Sequence, residues 1–372
     1  MRNMKKHPFA LTLLVSLLTA CTRTPSEAEQ EAQIKIHHAR VENARRLDIS
    51  DLGLTALPSE IGQLTALEQL DASHNQIKKL PSEIGQLTAL SRLYLYDNQL
   101  RKLPPEIGQL GALRSLNLNQ NRLKALPPEF AQLDNLIGLY LSRNELDHVP
   151  PVVQQLDSLR VLSLNANQLE QFPDELAAMP QLTHLNLNDN QLCELSAAIG
   201  QLTNLESLNL STNQLRTLPP ELETITQLTT LRLYQNEFTH LPSAICQLTS
   251  LTDLILWGNA LRELPPEIRQ LAQLEKLDLW HNQLEELPPE IGQLENLQWL
   301  RLSDNRLRAL PPEIGQLTHL TYVDLSDNDL TTLPREIAQL THLEELDIRG
   351  NEIKELPHGV RDIPGLVIHW QE

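Results

Sequence analysis

Tyrosine and tryptophan are the residues whose spacing in this sequence suggests a chemical role. Each of them lies two, four or six residues before an asparagine that recurs every 23 residues, or before its C-terminal equivalent. They are Tyr94, Tyr96, Tyr140, Tyr234, Trp257, Trp280, Trp299, Tyr322 and Trp370. Because side chains alternate between the two faces of a strand, even offsets predict that these rings share an outward face. The residues Phe130, Phe172 and Phe238 instead replace core aliphatic residues.

One group of rings is expected to form a continuous cluster. Tyr234, Trp257 and Trp280 hold the same position in three consecutive repeats, and neighbouring parallel strands lie about 5 Å apart. Trp299 and Tyr322 continue the cluster on the next two repeats, four residues earlier in the unit. The rim around them is formed by Arg232, Asp253, Lys276, Asp278, His281, Arg301 and Asp324. Exposed aromatic clusters with a charged rim are typical of binding hot spots, so these twelve residues form the predicted partner-binding surface.

Two other interpretations of the rings stay open. Tyrosine and tryptophan have a high strand propensity, so outward strand positions accept them without any binding role. A glycan is the alternative ligand, because ring faces beside aspartates can also stack sugars. A second, weaker patch is predicted at Arg92, Tyr94, Tyr96 and Tyr140.

Catalysis, cofactor binding and metal binding find little support in the motifs. The sequence contains no phosphate-binding G-x-x-x-x-G-K pattern, no G-x-S-x-G and no H-E-x-x-H. The adjacent His37 and His38 would point apart on a helix, so they are not expected to share a metal ion. Asn328 lies between two aspartates, but the turn needs its amide, so a calcium site is not expected there either. We therefore predict a non-enzymatic protein with no catalytic residue, no cofactor and no metal site.

The elements that must position these rings follow from the 23-residue period. The asparagine recurs without a change of spacing at Asn75, Asn98, Asn121, Asn144, Asn167, Asn190, Asn213, Asn236, Asn259, Asn282, Asn305, Asn328 and Asn351. A unit of this length cannot bury its own apolar face and must stack on its neighbours. The sequence therefore predicts one elongated solenoid domain.

The repeat resembles the leucine-rich repeat family. The family core LxxLxLxxNxL is present as Leu90, Leu93, Leu95, Asn98 and Leu100, and residues 103–110 resemble the plant intracellular and Ras-scaffold subclass. The resemblance covers residues 44–370. It implies an α/β solenoid that serves in protein recognition, with a curved parallel sheet on its concave side and short helices or turns on its convex side.

The positions within a unit have separate predicted roles. Leu93-Tyr94-Leu95 alternates as a strand with one buried face does. The asparagine amide, which both donates and accepts hydrogen bonds, is expected to satisfy backbone groups of the turn. The Pro104-Pro105-Glu106-Ile107 segment predicts the start of a short helix, since proline is tolerated in the first turn.

The charge of the chain restricts its partners. The formal charge is −18, and it becomes −21 without residues 1–20, which carry three basic residues and no acid. Such a surface argues against nucleic acid and anionic lipid and favours a neutral or basic protein or peptide. Cys193 and Cys246 lie two repeats apart at different points of the turn, so a disulfide between them is not expected.

The first residues predict export. A basic head is followed by an apolar stretch from Phe9 to Leu18, which is too short to span a bilayer and has the layout of a signal peptide. Residues 18–21 resemble the lipobox of bacterial lipoproteins, which implies acylation of Cys21. Thr22 after this cysteine suggests the outer membrane if the host has one. The membrane would then be contacted through the lipid anchor only.

The remaining segments are predicted as caps. Residues 21–46 would form a tether and a helix that begins near Pro25 and buries Ile34, Val41 and Ala44, with Ile36 or His37 between them. Residues 47–365 contain fourteen repeats, and residues 366–372 form a partial strand with His369 at an inward position. These caps would cover the leucines at the two ends of the stack.

Overall fold

The repeats fold into three-residue strands, each followed by a short helix. The structure is a computed structural model that describes residues 25–370 and divides into two units, one ending at Asn167 and one beginning at Gln168. The predicted leader at residues 1–20 and the predicted acylation site Cys21 lie outside the described residues. No helix in residues 25–370 has the length and apolar character needed to cross a membrane.

The first unit begins with helix α1, Pro25–Val41, and contains six strands. The strands are β1 Arg46–Asp48, β2 Gln69–Asp71, β3 Arg92–Tyr94, β4 Ser115–Asn117, β5 Gly138–Tyr140 and β6 Val161–Ser163. The helices between them are 3₁₀ helices at Ser59–Gln63, Ser82–Gln86, Pro105–Gln109, Pro128–Gln132 and Pro151–Gln155. The strands pair in parallel and in sequence order, with Leu70 aligned to Leu93 and Leu93 to Leu116.

The second unit contains nine parallel strands, also paired in sequence order. They are β7 His184–Asn186, β8 Ser207–Asn209, β9 Thr230–Arg232, β10 Asp253–Ile255, β11 Lys276–Asp278, β12 Trp299–Arg301, β13 Tyr322–Asp324, β14 Glu345–Asp347 and β15 Val367–His369. One repeat has a short α-helix, α2, Ser243–Cys246. The 3₁₀ helices are Asp174–Ala178, Ala197–Gln201, Pro220–Thr224, Pro266–Gln270, Pro289–Gln293, Pro312–Gln316, Arg335–Gln339 and Val360–Asp362.

The inward leucines of each repeat form the core between the strands and the short helices. In the repeat of Asn98, the side chains of Leu93, Leu95 and Ile107 are fully buried. Phe130, Phe172 and Phe238 are buried as predicted. The predicted leucine-rich repeat solenoid, with parallel strands on one side and short helices on the other, is therefore confirmed.

The repeat asparagines have the predicted structural role. Asn98 accepts a hydrogen bond through Oδ1 from the backbone N–H of Ile77 at 2.9 Å. Its Nδ2 donates to the carbonyl oxygens of Ala72 at 3.0 Å and Leu95 at 3.1 Å. One amide thus satisfies backbone groups of its own repeat and of the preceding one. Because these groups are buried, leaving them without partners would be costly.

The residue before the repeat asparagine adopts a left-handed backbone, which the sequence did not predict. At this position His74, Gln120, Ala166 and Thr212 have φ values between 51° and 54°. Most L-residues pay a steric cost in this region, so the turn stores strain in repeat after repeat.

The predicted apolar face of α1 is correct at Ile36 and wrong at Ile34 and Val41. Ile34 and Val41 are exposed, whereas the buried residues are Ala28, Ala32, Ile36 and Ala39. This set recurs at intervals of four and three residues, as one helix face requires. The small alanine side chains let α1 approach β1 and the first 3₁₀ helix closely. Lys35 of α1 also donates from Nζ to the carbonyl oxygen of Asp48 at 3.1 Å.

Two sequence predictions for the last strand are also wrong. In β15 Ile368 aligns with the inward Leu346, whereas His369 aligns with Asp347 on the other face. The last repeat is therefore one residue shorter than the others. Because the faces alternate, Trp370 shares the face of Ile368 and is not an outward ring. Its ring lies 5.4 Å from Cζ of Arg361.

Candidate functional site

Five rings lie in a row on the outward strand face of the second unit, which we call the aromatic ladder: Tyr234, Trp257, Trp280, Trp299 and Tyr322. Tyr234 and Trp257 stack face to face, with ring centroids 4.5 Å apart and planes 5° apart. Trp257 and Trp280 follow at 5.2 Å with a tilt of 39°. These three rings lie two residues past the ends of β9, β10 and β11.

The other two rings of the ladder open strands β12 and β13. Trp299 and Tyr322 are register partners, and their rings stack at 5.1 Å with planes 7° apart. The burial of Tyr322 and its position near Asp324 raise the pKa of its hydroxyl. All five rings are half-buried, so each keeps part of its surface in contact with solvent.

Two cations connect the two parts of the aromatic ladder. Cζ of Arg301 lies 4.5 Å from the ring centroid of Trp280, and Nζ of Lys276 lies 4.5 Å from that of Trp299. Cations over ring faces are attracted by the negative face of the π-system, by about 0.5 to 2 kcal/mol. The cations that the sequence placed on the rim therefore pack within the cluster and hold its rings in place.

Two aspartates of the predicted rim are buried and do not form an exposed edge. Asp324 is 6% exposed and accepts hydrogen bonds from the backbone N–H and the hydroxyl of Ser326, at 3.0 and 2.6 Å, and from Nε of Arg301 at 3.3 Å. Asp278 accepts from the N–H of Trp280 at 3.2 Å. Burial raises the pKa of Asp278, although this N–H and the charge of Arg301 oppose the shift. Both carboxylates thus fix the backbone after a strand.

The other predicted rim residues lie nearer to solvent. Arg232 is exposed, and Asp253 is half-buried and accepts from the hydroxyl of Thr252 at 2.8 Å. His281 is exposed and is hydrogen-bonded through Nδ1 to Asp304. Its ring centroid lies 5.9 Å from that of Trp280, so the histidine borders the ladder.

Sequence reasoning missed a polar neighbour at one end of the ladder and a cavity at its other end. Nδ2 of Asn188 lies 3.4 Å from the hydroxyl of Tyr234, which it reaches across two repeats. At the other end, a cavity of about 660 Å³ is lined by Tyr322, Glu345, Val367 and His369 among others. Outward position could have indicated Asn188 and Glu345, but only the fold determines which side chains meet.

The weaker predicted patch on the first unit is not a connected cluster. Tyr94 and Tyr140 both align with Asn117, on either side of it, so one strand separates the two tyrosines. Tyr96 contacts His74 edge-on, with ring centroids 4.7 Å apart. Arg92 is exposed at the start of β3. We call Arg92, Tyr94, Tyr96 and Tyr140 the tyrosine patch.

The two cysteines of the second unit are unpaired, as predicted. Cys193 is exposed and Cys246 is buried. Burial raises the pKa of the Cys246 thiol to about 11, so it stays protonated and unreactive at neutral pH. In residues 25–370 no three His, Cys, Asp or Glu side chains are grouped so that they could hold a metal ion.

Family models of leucine-rich repeats match most of the sequence. The model described as a leucine rich repeat matches residues 203–261, 272–315 and 295–353. The leucine-rich repeat region model matches residues 93–188, and the two-copy repeat model matches residues 65–108. No curated protein matches the chain in sequence.

Solved structures of leucine-rich repeat proteins are similar over nearly the whole chain. A leucine-rich repeat protein of Leptospira interrogans is 38% identical with a TM-score of 0.75, and the match covers 89% of this chain and 97% of that one. An internalin of Listeria monocytogenes is 25% identical, with a TM-score of 0.71 and coverages of 82% and 87%. A plant peptide hormone receptor in complex with RGF2 is 28% identical, with a TM-score of 0.70 and coverages of 89% and 60%.

The repeat pattern, the fold and these matches agree. Leucine-rich repeat proteins generally act as protein-binding modules, and the fold is not typically enzymatic. The chain belongs to the leucine-rich repeat family.

Proposed function

We propose that this protein binds a protein or peptide on the aromatic ladder and that a lipid on Cys21 anchors it to a bacterial cell envelope. The observation that carries the binding proposal is a row of five half-buried rings across five strands, in which three rings contact one another in turn, two more rings stack, and two cations link the two groups. Half-buried rings in fixed positions lose little conformational entropy when a partner covers them. Tryptophan, tyrosine and arginine are also the residues most enriched in binding hot spots.

The partner class is supported by charge and by the similar structures. The formal charge of −18 favours a neutral or basic surface over an acidic one. The plant receptor, which is similar in fold, was solved in complex with RGF2. A protein or peptide ligand on the strand face is consistent with both observations.

A glycan ligand is less favoured by the ring geometry. Sugars stack on a free ring face, but Trp257 lies between Tyr234 and Trp280 and contacts both rings. Arg301 covers part of Trp280, and Lys276 covers part of Trp299. The solvent-facing ring parts therefore suit a packed protein surface better than a stacked sugar. Strong binding to a glycan array at micromolar protein would reverse this preference.

The binding proposal is tested with the double variant Trp257→Ala, Trp280→Ala. Immobilised wild-type protein captures partners from a cell extract, and the captured proteins are identified by mass spectrometry and titrated after purification. We expect the double variant to lose about 2 kcal/mol or more of binding free energy, as at other hot spots. The paired control is Tyr94→Ala, Tyr140→Ala, which removes two unstacked outward rings and should keep most of the affinity. If the tryptophan double variant bound the purified partner as tightly as the tyrosine double variant does, the aromatic ladder would be rejected as the binding surface.

The anchor has a separate test. Cells that express the full chain are labelled with a palmitate analogue, and the mature N-terminus is identified by mass spectrometry. We expect label on the wild type, no label on the Cys21→Ala variant, and a mature chain that begins at Cys21. An N-terminus that retains residues 1–20, or label that survives the substitution, would contradict the anchor and leave the binding proposal standing.

A further inference from the structure

A group of side chains on the first unit has the opposite charge to the rest of the molecule. Residues 78–124 contain eight lysines and arginines and three acids, a formal charge of +5, in a chain whose formal charge is −18. Six of these cations belong to the turns that follow the repeat asparagines, and all six are exposed: Lys78, Lys79, Arg101, Lys102, Arg122 and Lys124.

The repeat places these cations side by side. Lys78, Arg101 and Lys124 all lie three residues after an asparagine, in three consecutive repeats. The turns that carry them are joined by backbone hydrogen bonds. The N–H of Gln99 donates to the carbonyl oxygen of Ile77 at 2.9 Å, and the N–H of Arg122 donates to that of Leu100 at 2.8 Å. Since stacked repeats are about 5 Å apart, the fold repeats a positive charge at this interval.

The cations line a cavity. It has a volume of about 630 Å³, and its lining is Lys78, Lys79, Gln99, Arg101, Lys102 and Arg122, which together we call the basic groove. A second cavity of about 520 Å³ shares Arg101 and Arg122 and extends to Lys124 and Glu145. Both volumes lie in the range of small-ligand sites, which is about 300 to 1,000 Å³.

The charges of the basic groove are not neutralised by the protein. Within residues 25–370, none of its five cations forms an ion pair, whereas the neighbouring Lys124, outside the groove, forms an ion pair of 3.7 Å with Glu145. At the same position of two repeats in the second unit, Arg216 and Arg308 are paired with Glu237 and Glu285, at 2.8 and 3.7 Å. Among the described residues no acid lies within ion-pair distance of the five groove cations, so their charge is available to an anionic ligand.

The lining residues define the chemical class of that ligand. No aromatic side chain lines the groove, so it offers no platform for stacking a nucleobase. Arg101 and Arg122 present planar forks that match phosphate oxygens, and the lysines add compact charges. The cations span three repeats, which is a distance of about 10 Å and too short to follow a long polyanion.

We propose that the basic groove binds a compact, multiply charged phosphate group, either as a free anion of the pyrophosphate type or as the headgroup of a phosphorylated lipid. The overall negative charge does not prevent this, because charges farther than about 8 Å are largely screened at physiological salt. The groove and the aromatic ladder have no residue in common. A test of phosphate binding therefore does not depend on whether the ladder binds a protein partner.

The test is a calorimetric titration of the full chain with pyrophosphate and with orthophosphate, using Cys21→Ser protein throughout so that no acyl chain contributes. We expect pyrophosphate to bind more tightly than orthophosphate and to weaken as salt is raised. The variant Arg101→Gln, Arg122→Gln removes two charge-assisted contacts and should bind pyrophosphate about a hundredfold less tightly. The matched variant Arg216→Gln, Arg308→Gln removes two arginines of the second unit and should bind as the parent does.

A flotation assay separates the two sources of phosphate. Phosphatidylcholine vesicles carry either phosphatidylinositol bisphosphate or an equal charge of phosphatidylserine, and plain phosphatidylcholine vesicles serve as the blank. Preferential flotation with the bisphosphate lipid supports a headgroup, whereas pyrophosphate binding without flotation supports a free anion. The proposal is overturned if neither pyrophosphate nor the bisphosphate lipid binds, if the protein floats to the same extent with the bisphosphate and the phosphatidylserine vesicles, or if the Arg101→Gln, Arg122→Gln variant keeps the affinity of the parent for pyrophosphate. Unchanged melting temperatures establish that the variants are folded.

Discussion

The tyrosine patch of the first unit and the aromatic ladder of the second are displayed on the same repeat but differ in connection. In the patch, Asn117 separates Tyr94 from Tyr140, and the three tyrosines make no ring contact with one another in the described structure. In the ladder, aromatic residues occupy outward positions on consecutive strands, and each ring contacts at least one neighbouring ring. Inward leucines and asparagines are nearly constant in both units. We infer that the inward positions determine the fold, whereas the outward positions determine what the protein can recognise.

The largest effect on stability is expected from the repeat asparagines, which both units share. Asn98→Ala in the first unit and Asn282→Ala in the second should each lower the free energy of unfolding by about 3 kcal/mol, because each leaves buried N–H and C=O groups unpaired. Asn282 makes the same contacts as Asn98, accepting from Leu261 at 3.1 Å and donating to Leu256 and Leu279. Urea unfolding followed by circular dichroism measures both variants.

The controls for these substitutions are the exposed Gln76 and Gln191, which directly follow repeat asparagines. Their replacement by alanine should change stability by less than about 0.5 kcal/mol. If Asn98→Ala were tolerated while Asn282→Ala unfolded the protein, the two units would not share one stabilising principle.

A smaller effect is expected from the left-handed turn residue. In the second unit Gly258, with φ of 69°, occupies this position, and an added Cβ would lie 3.2 Å from Cγ of Gln235. Gly258→Ala should therefore lose about 1 to 2 kcal/mol. In the first unit Ala166 holds the same position with φ of 53°, so Ala166→Gly should gain a similar amount. Thermal melting of the two variants measures both shifts, and shifts of the same sign would contradict a common backbone strain.

A double-mutant cycle tests the difference between ladder and patch. Tyr234→Ala and Trp257→Ala remove stacked rings, so their effects on stability should be coupled by about 1 kcal/mol. Tyr94→Ala and Tyr140→Ala remove rings that do not touch and should be additive within about 0.3 kcal/mol. Coupling of equal size in both cycles would mean that the tyrosine patch is also a connected cluster in solution.

The features that the sequence predicted are those that the period determines. The strands, the asparagine row and the burial of Phe130 follow from position within the unit, and so do the outward positions of the ladder rings. Features that depend on a neighbouring repeat or on a change of period were missed. Arg301 packs over Trp280 because of the side-chain conformations of both residues, and Trp370 changes face because the last repeat is one residue shorter.

The face of α1 was missed for a related reason. Its helical stripe consists mainly of alanines, which carry little apolar area, so the larger Ile34 and Val41 dominated the pattern. The buried state of Asp278 and Asp324 was missed because a charged residue at an outward position is expected to be solvated. Whether the ladder residues bind a partner stays a prediction.

The smallest effect concerns a residue four positions before the repeat asparagine. In the second unit Asp278 accepts from the N–H of Trp280, and in the first unit Asn117 accepts from the N–H of Asn119 at 3.1 Å. Burial raises the pKa of Asp278 above its ordinary value of 3.8. Just above pH 3.8 the native state therefore holds a proton that the unfolded state has lost, and stability falls as pH rises through this window.

Asp278→Asn keeps the hydrogen-bond acceptor and removes the charge that burial disfavours. The variant should be more stable than the wild type at neutral pH, by less than the loss expected for Asn98→Ala, and the advantage should shrink below pH 3.8, where Asp278 is protonated in both states. Urea midpoints at several pH values measure this. The reciprocal Asn117→Asp places a carboxylate at a half-buried position and should show a weaker pH dependence. If Asp278→Asn were less stable at neutral pH, the attraction of Arg301 and Lys276 for the carboxylate would outweigh its burial, and the charges inside the ladder would stabilise the second unit in a way that the first unit lacks.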